Sequence, residues 1–301
     1  MLNKIARSVR AFARGLQRIS EVPLAPATPD TPTVGLALGG GFARGLAHIG
    51  VLKVLEEEGI PVNFIAGTSV GSVIGAAYCS GISARELEKM AALVRFKDFA
   101  RWTLSRYGFA SNDRMARFLD RLLKCRTFEN LKIPLAVAAT DFSSGEPVVF
   151  RSGPLVDAVR ASCAYPGMFL PVNVNGRLLV DGMLGHAVPT VPLREMGARH
   201  VIAVYLNASW VNPDGPRHVF DVIGQCFSIA QSKMSGLWES AADVIVQPDV
   251  RGFSYDGFDR APELIHAGEQ AARAALPAIR QWFARPQSAA LATQVKAPSP
   301  A

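Results

Sequence analysis

Ser69 stands in the run Gly67-Thr68-Ser69-Val70-Gly71. A hydroxyl in G-x-S-x-G spacing, after the apolar run Phe64–Ala66 and before the small residues Ser72–Cys79, is arranged for nucleophilic attack on an acyl carbon. Such a serine sits on a tight turn from strand to helix, where a Cβ two residues to either side would strike neighbouring backbone. The helix start adds free N–H groups and the positive end of a dipole. The same residues would also suit a glycine-rich turn carrying a solvated serine.

A second glycine-rich run, Gly39-Gly40-Gly41-Phe42-Ala43-Arg44-Gly45, follows the apolar stretch Val34–Leu38 and opens a helical pattern. Glycines there let backbone N–H groups turn towards an anion, either a phosphate or a developing oxyanion. A dinucleotide site would require G-x-G-x-x-G and an acid ending the second strand. Here Gly45 falls one residue too far along, and the second apolar run ends Ile65-Ala66-Gly67. A Walker loop fails as well, because no Gly-Lys-Ser/Thr follows.

An activated serine needs a base, and the five histidines are the first candidates. His48 falls in the helix after the glycine run, and His200 just before an apolar strand. His218 and His266 lie in amphipathic helical patterns, and His186 lies in a loop. None stands in a context that marks it as the base. Asp181 ends the apolar run Leu178-Leu179-Val180 and precedes Gly182. A carboxylate at the tip of a buried strand is able to take the serine proton if a dry site raises its basicity. An Asp-Gly turn at a strand end would read the same way.

The elements that must position these groups alternate along the chain. Strand-like runs occur at Val34–Leu38, Phe64–Ala66, Leu135–Ala139, Val148–Phe150, Val201–Tyr205 and Val244–Val246. Helical patterns occupy about 44–58, 70–80, 84–94, 112–124, 155–162, 218–238 and 262–284. This order predicts an α/β sandwich with a largely parallel sheet. Asn175-Gly176, between Val172–Val174 and Leu178–Val180, predicts a two-residue hairpin, which makes the sheet mixed. Gly59–Ala84 is 26 residues without a charge, but its glycines, Pro61 and Asn63 divide it into strand, turn and helix rather than a membrane span.

The chain has 301 residues, of which 49% are hydrophobic and 19% charged, which excludes a disordered chain. Four cysteines lie far apart with no CxxC pair, so neither a zinc site nor a secreted disulfide framework is expected. The net charge of +7 is unevenly placed: residues 1–20 hold Lys4, Arg7, Arg10, Arg14 and Arg18 and no acid. The body of the chain is therefore close to neutral, and nucleic-acid binding is not expected. Leu2, Ile5, Val9, Phe12, Leu16 and Ile19 recur at helical spacing opposite the arginines. Residues 1–22 thus read as a basic amphipathic helix suited to an anionic membrane surface, to an organelle-targeting role, or to packing on the domain itself. Prolines at 23, 26, 29 and 32 mark 23–32 as a stiff linker. The globular domain is expected over 33–285, and the Ala-, Pro- and Ser-rich 286–301 reads as a disordered tail.

Taken in order, the glycine loop, the Ser69 turn and Asp181-Gly182 resemble the patatin-like phospholipase family, in its bacterial and neuropathy-target-esterase-like branch. Arg160-Ala161-Ser162-Cys163-Ala164-Tyr165-Pro166-Gly167 resembles the segment that packs beside the active site there. The similarity covers about Thr33 to Phe283. It implies a three-layer α/β/α sandwich, with Ser69 as nucleophile, Asp181 as proton acceptor and no histidine in the dyad. It also implies N–H groups around Gly40 and Gly41 as the oxyanion hole, with Gly39 and Gly45 shaping that loop. Arg44 takes the family's basic position, fixing the loop or attracting a lipid phosphate. The implied substrate is a phospholipid or lysophospholipid, no metal or cofactor is required, and the protein would be cytoplasmic and peripheral at a membrane.

Three departures stand out. Phe42 takes the place of a small residue or glycine, Met183 that of Gly or Ala after Asp-Gly, and His186-Ala187 that of Asn-Pro. His186 is thereby a candidate hydrogen-bond partner for Asp181. The same departures motivate an alternative, a membrane-recruited binding or regulatory protein built on an inactive lipase fold.

Overall fold

A computed structural model describes residues 32–99, 101–105, 108–207, 215–216 and 219–284. The predicted amphipathic helix, most of the proline linker and the tail lie outside the described residues.

The first strand, β1 (Val34–Leu38), is buried along its whole length, as are β2 (Phe64–Thr68) and β5 (Leu135–Asp141). Strands covered on both faces need apolar side chains on both, which is why these segments read as unbroken apolar runs. With β9 (His200–Val204) and β10 (Val244–Val246) they form a parallel set in the order β10-β9-β1-β2-β5. Three antiparallel strands complete the eight-stranded sheet: β6 (Pro147–Phe150), β7 (Val172–Val174) and β8 (Arg177–Asp181). The β7–β8 turn has Asn175 at φ 52° and Gly176 at φ 83°, the left-handed pair that the sequence predicts.

Side-chain size divides the two faces. Leu36, Leu38, Ile65, Val137, Ile202 and Val204 point into the larger core. The helices over that face are α1 (Ala47–Glu57), α2 (Val70–Cys79), α3 (Ala84–Ala91), α4 (Asp113–Leu122), α5 (Leu155–Ser162) and, after the chain returns, a long helix over Ala261–Arg280. The intervening residues Ala37, Ala66, Ala136 and Ala203 leave a thinner layer. It is filled by Val188, by Leu193 on α6 (Thr190–Glu195) and by Trp238 on α8 (Gly236–Glu239), which follows α7 (Val219–Lys233). The Ala261–Arg280 helix is α9. The result is the expected α/β/α sandwich. Each fully buried Leu or Ile of the larger core contributes roughly 1.5–3 kcal/mol.

Several elements differ from the sequence expectation. A separate hairpin, β3 (Arg101–Ser105) and β4 (Gly108–Ser111), arises where no strand is predicted. The helix expected from residue 44 begins as a 3-10 turn, Phe42–Leu46, before α1. The 218–238 pattern breaks into α7 and α8. The uncharged Gly59–Ala84 stretch folds as loop, β2, turn and α2, and no helix among the described residues is long and apolar enough to cross a membrane.

The sheet register sets up the site. On one edge β5 pairs with β6, and on the other β2 and β8 meet end to end. Ala138 pairs with Thr68, and the next residue, Ala139, pairs with Asp181.

Candidate active site

Ser69 follows Thr68 directly and has φ 53° and ψ −127°, a conformation rare for a residue with a Cβ. Holding it there costs on the order of 1–3 kcal/mol, which the surroundings must supply. They do so by close packing. A Cβ on Gly67 would lie 2.6 Å from Ser72 N, and one on Gly71 would lie 2.1 Å from Leu38 O. Only glycine lets β2, α2 and the end of β1 approach this closely. The Ser69 N–H donates to Ser162 Oγ at 2.8 Å, and the Ser72 hydroxyl donates to Ser69 O at 2.6 Å. Ser69 is 9% exposed.

Asp181 is completely buried at the last position of β8. Its N–H donates to Ala164 O at 3.0 Å, and its Oδ1 accepts the Met183 N–H at 3.0 Å. Oδ2 is buried with no partner at hydrogen-bond distance. Burial pushes the carboxyl up to about 7, against smaller opposing effects of the Met183 N–H and the nearby Ser69 hydroxyl. Near neutral pH this group therefore both accepts and returns a proton readily. Gly182 packs against β5, where a Cβ would lie 2.3 Å from Ala138 O.

The segment 160–167 connects the two residues. Ser162 holds the Ser69 amide, Ala164 holds the Asp181 amide, and Tyr165 lines the pocket that contains Asp181.

In the glycine loop, Gly39 N–H donates to Val204 O at 3.2 Å and Gly40 N–H to Ala187 O at 3.3 Å. Of the N–H groups around Gly40 and Gly41 expected to form the oxyanion hole, that of Gly40 is thus engaged by Ala187 O. Gly41 N–H has no partner among the described residues, and Gly41 lines the pocket shared by Ser69 and Asp181. Gly45 seats the loop on α2, since a Cβ there would lie 2.2 Å from Val70 Cγ1. Arg44 is buried, with its Nε donating to Phe253 O at 2.9 Å, and burial lowers its pKa to about 10. It fixes the loop and also lines the small pocket.

His48 holds the glycine loop, a contact that the sequence pattern does not reveal. It is fully buried, and its Nε2 lies 2.8 Å from Gly39 O. The carbonyl only accepts, so Nε2 carries the proton. Burial pulls the ring down to about 4, leaving it neutral. This bond pins the Gly39–Gly40 peptide. The signal was present, in that residue 48 lies one turn or so after the loop, but helical position alone does not say what a buried ring touches.

His186 is not the partner of Asp181. Its ring pKa is lowered by burial, with Glu195 and Arg151 as its charged neighbours, and its backbone carbonyl accepts the Thr68 hydroxyl at 2.6 Å. His200 stacks on Trp282, while His218 lies outside the described residues. Among the described residues, no histidine lines the pocket that holds Ser69 and Asp181.

Two cavities meet at the serine. One, of about 310 Å³, runs between α1, α2, α3 and α4, with Val73, Ile74, Met115, Phe118 and Phe169 among its walls and Asp98 as its charged residue. The other, of about 50 Å³, is bounded by Gly40, Gly41, Arg44, Tyr165, Asp181, Met183 and Leu206. Ser69 and Phe42 line both.

This fold and turn define a class, the α/β sandwiches that present a serine on a strained turn between strand and helix. Within it, the chain belongs to the patatin-like phospholipase family, whose model matches residues 36–194. It is 35% identical over 199 residues to an NTE-family protein of Mycobacterium tuberculosis, covering 61% of this chain and 52% of that one. It is 31% identical over 231 residues to lysophospholipase NTE1 of Mycosarcoma maydis, covering 73% of this chain and 12% of that one. With mouse patatin-like phospholipase domain-containing protein 6 it shares 35% identity over 207 residues, 65% of this chain and 15% of the relative. The chain thus spans about half the length of the mycobacterial relative and a small part of the others. Among solved structures, VipD from Legionella pneumophila has a similar fold, with a TM-score of 0.58 at 13% identity over 84% of this chain and 68% of that one.

Proposed function

We propose that the protein is a serine hydrolase that cleaves fatty-acyl esters of phospholipids or lysophospholipids. The observation that carries this reading is the position of Ser69, shared between a chain-sized apolar cavity and a small pocket holding a buried carboxyl of raised pKa. The acyl chain occupies the large cavity, where each buried methylene contributes about 0.8 kcal/mol.

Ionised Asp181 takes the Ser69 proton as Oγ bonds to the carbonyl carbon. The Gly41 N–H, at the mouth of the glycine loop, stabilises the oxyanion of the tetrahedral intermediate. The carbon–alkoxide bond then breaks, and Asp181 returns the proton to the departing alcohol. Water, giving a proton to the same carboxylate, attacks the acyl-Ser69 carbonyl; the acyl–Oγ bond breaks, Asp181 returns that proton to Ser69 Oγ, and the fatty acid leaves. Family membership and the lysophospholipase among the relatives support the lipid character of the substrate.

Residues 2–20, with five basic side chains opposite an apolar stripe, are assigned to docking on an anionic bilayer. The protein would then be cytoplasmic and peripheral.

The test is fatty-acid release from lysophospholipid and phospholipid vesicles by the purified full chain. Wild type is expected to release acid, and Ser69→Ala and Asp181→Asn to release none above background. Undiminished release by either variant would remove the dyad. Wild type that releases no acid yet binds the vesicles would support the inactive alternative.

A further inference from the structure

Phe42 is an aromatic residue in a backbone conformation that suits glycine. Its φ is 53°, in the left-handed region that a bulky side chain rarely adopts. Its ring is held by Tyr165, with centroids 5.0 Å apart, and by Tyr255 at 6.0 Å, both edge to face. Among the described residues, it and Ser69 are the two that line both the apolar cavity and the Asp181 pocket. A strained residue kept at a catalytic wall points to a function for its bulk.

That function follows from where the ester must lie, and it rests on the hydrolase reading above. Asp181 must reach the departing oxygen to protonate it, so the alcohol side of the ester enters the pocket of about 50 Å³. The acyl chain takes the other cavity. We infer that Phe42 is a specificity-determining residue: its ring narrows the alcohol side, so that esters of unbranched primary alcohols are accepted and branching at the carbon next to the ester oxygen is rejected. In a glycerolipid this choice distinguishes a terminal from a central ester.

The experiment compares 1-propyl octanoate, 2-propyl octanoate and 1-propyl butyrate on the full chain and on Phe42→Gly and Phe42→Tyr. Phe42→Gly also relieves the left-handed backbone, and Phe42→Ala, which removes the same bulk, carries the same expectation should the glycine variant misfold. Glycine is expected to raise the kcat/KM ratio of 2-propyl to 1-propyl octanoate at least about tenfold, while the octanoate-to-butyrate ratio stays within about twofold. Tyrosine, which retains the ring, is expected to keep both ratios. An unchanged propyl ratio in the glycine and alanine variants, or an equal shift in the acyl-length ratio, would overturn the inference while leaving the hydrolase reading intact. Wild type that cleaves none of the three esters would overturn the reading itself and the inference with it.

Discussion

Ser69 and Asp181 stand at the carboxyl ends of two strands that meet tip to tip along one edge of β5. The pairing of Ala138 with Thr68 and of Ala139 with Asp181 makes their proximity a property of the sheet rather than of a loop. Groups anchored at strand ends are held more precisely than groups on loops, and the proposed nucleophile and base need that precision.

The raised carboxyl sets a pH dependence. In the proposed mechanism Asp181 must be ionised to take the Ser69 proton, and burial pushes its pKa up to about 7. Hydrolysis is therefore expected to fall on acidification through pH 7, with kcat/KM dropping about tenfold per unit well below that value. A profile flat between pH 5 and 8 would assign the base elsewhere.

Stability should respond in the opposite sense. Between the ordinary aspartate value of 3.8 and about 7, the folded carboxyl keeps its proton while the unfolded one has lost it. Unfolding then releases a proton, and stability declines as pH rises through that window. The shift corresponds to on the order of 4 kcal/mol. Asp181→Asn removes this loss, so its Tm should exceed that of wild type at pH 8 and approach it near pH 4. Thermal denaturation at the two pH values checks both directions.

The Ser69 N–H bond to Ser162 Oγ predicts a second structural dependence. Ser162 is fully buried, and its replacement by alanine leaves that amide without a partner. A loss of about 1–3 kcal/mol is expected in urea unfolding. Because the turn that aims Ser69 loosens, kcat should fall about tenfold or more.

The His48 contact with Gly39 O predicts a kinetic effect with a distinct signature. His48→Phe keeps a ring of similar size but has no donor for the carbonyl. Release of the Gly39–Gly40 peptide should lower kcat about 10–100-fold with little change in KM, because only transition-state contacts are disturbed. His48→Gln, which retains a donor, should recover part of the loss.

The fold was legible because its strands are apolar on both faces and its punctuation is strong, at Gly39–Gly41, Gly67–Gly71 and Asn175-Gly176. The hairpin β3–β4 was not: Arg101–Ser105 does alternate, with Trp102 and Leu104 apolar, but it is five residues long and its partner Gly108–Ser111 shows no such pattern. The motifs singled out Ser69 and Asp181, but no local pattern states that β8 meets β2 on the edge of β5, because register between distant strands is a tertiary property. The same limit hid His48, whose bond depends on how α1 packs under the glycine loop. Gly40 shows the converse: a glycine-rich sequence displays N–H groups, but which of them remain free depends on the loop contributing Ala187 O.

Covalent attack by Ser69 would leave an acyl-enzyme that can be trapped. Purified full chain mixed with an acyl ester and quenched in acid should carry the acyl mass on the peptide containing Ser69. Asp181→Asn should acquire it far more slowly, and Ser69→Ala should not acquire it. Turnover by wild type with the acyl group on another residue, or undiminished turnover by Ser69→Ala, would place the nucleophile elsewhere.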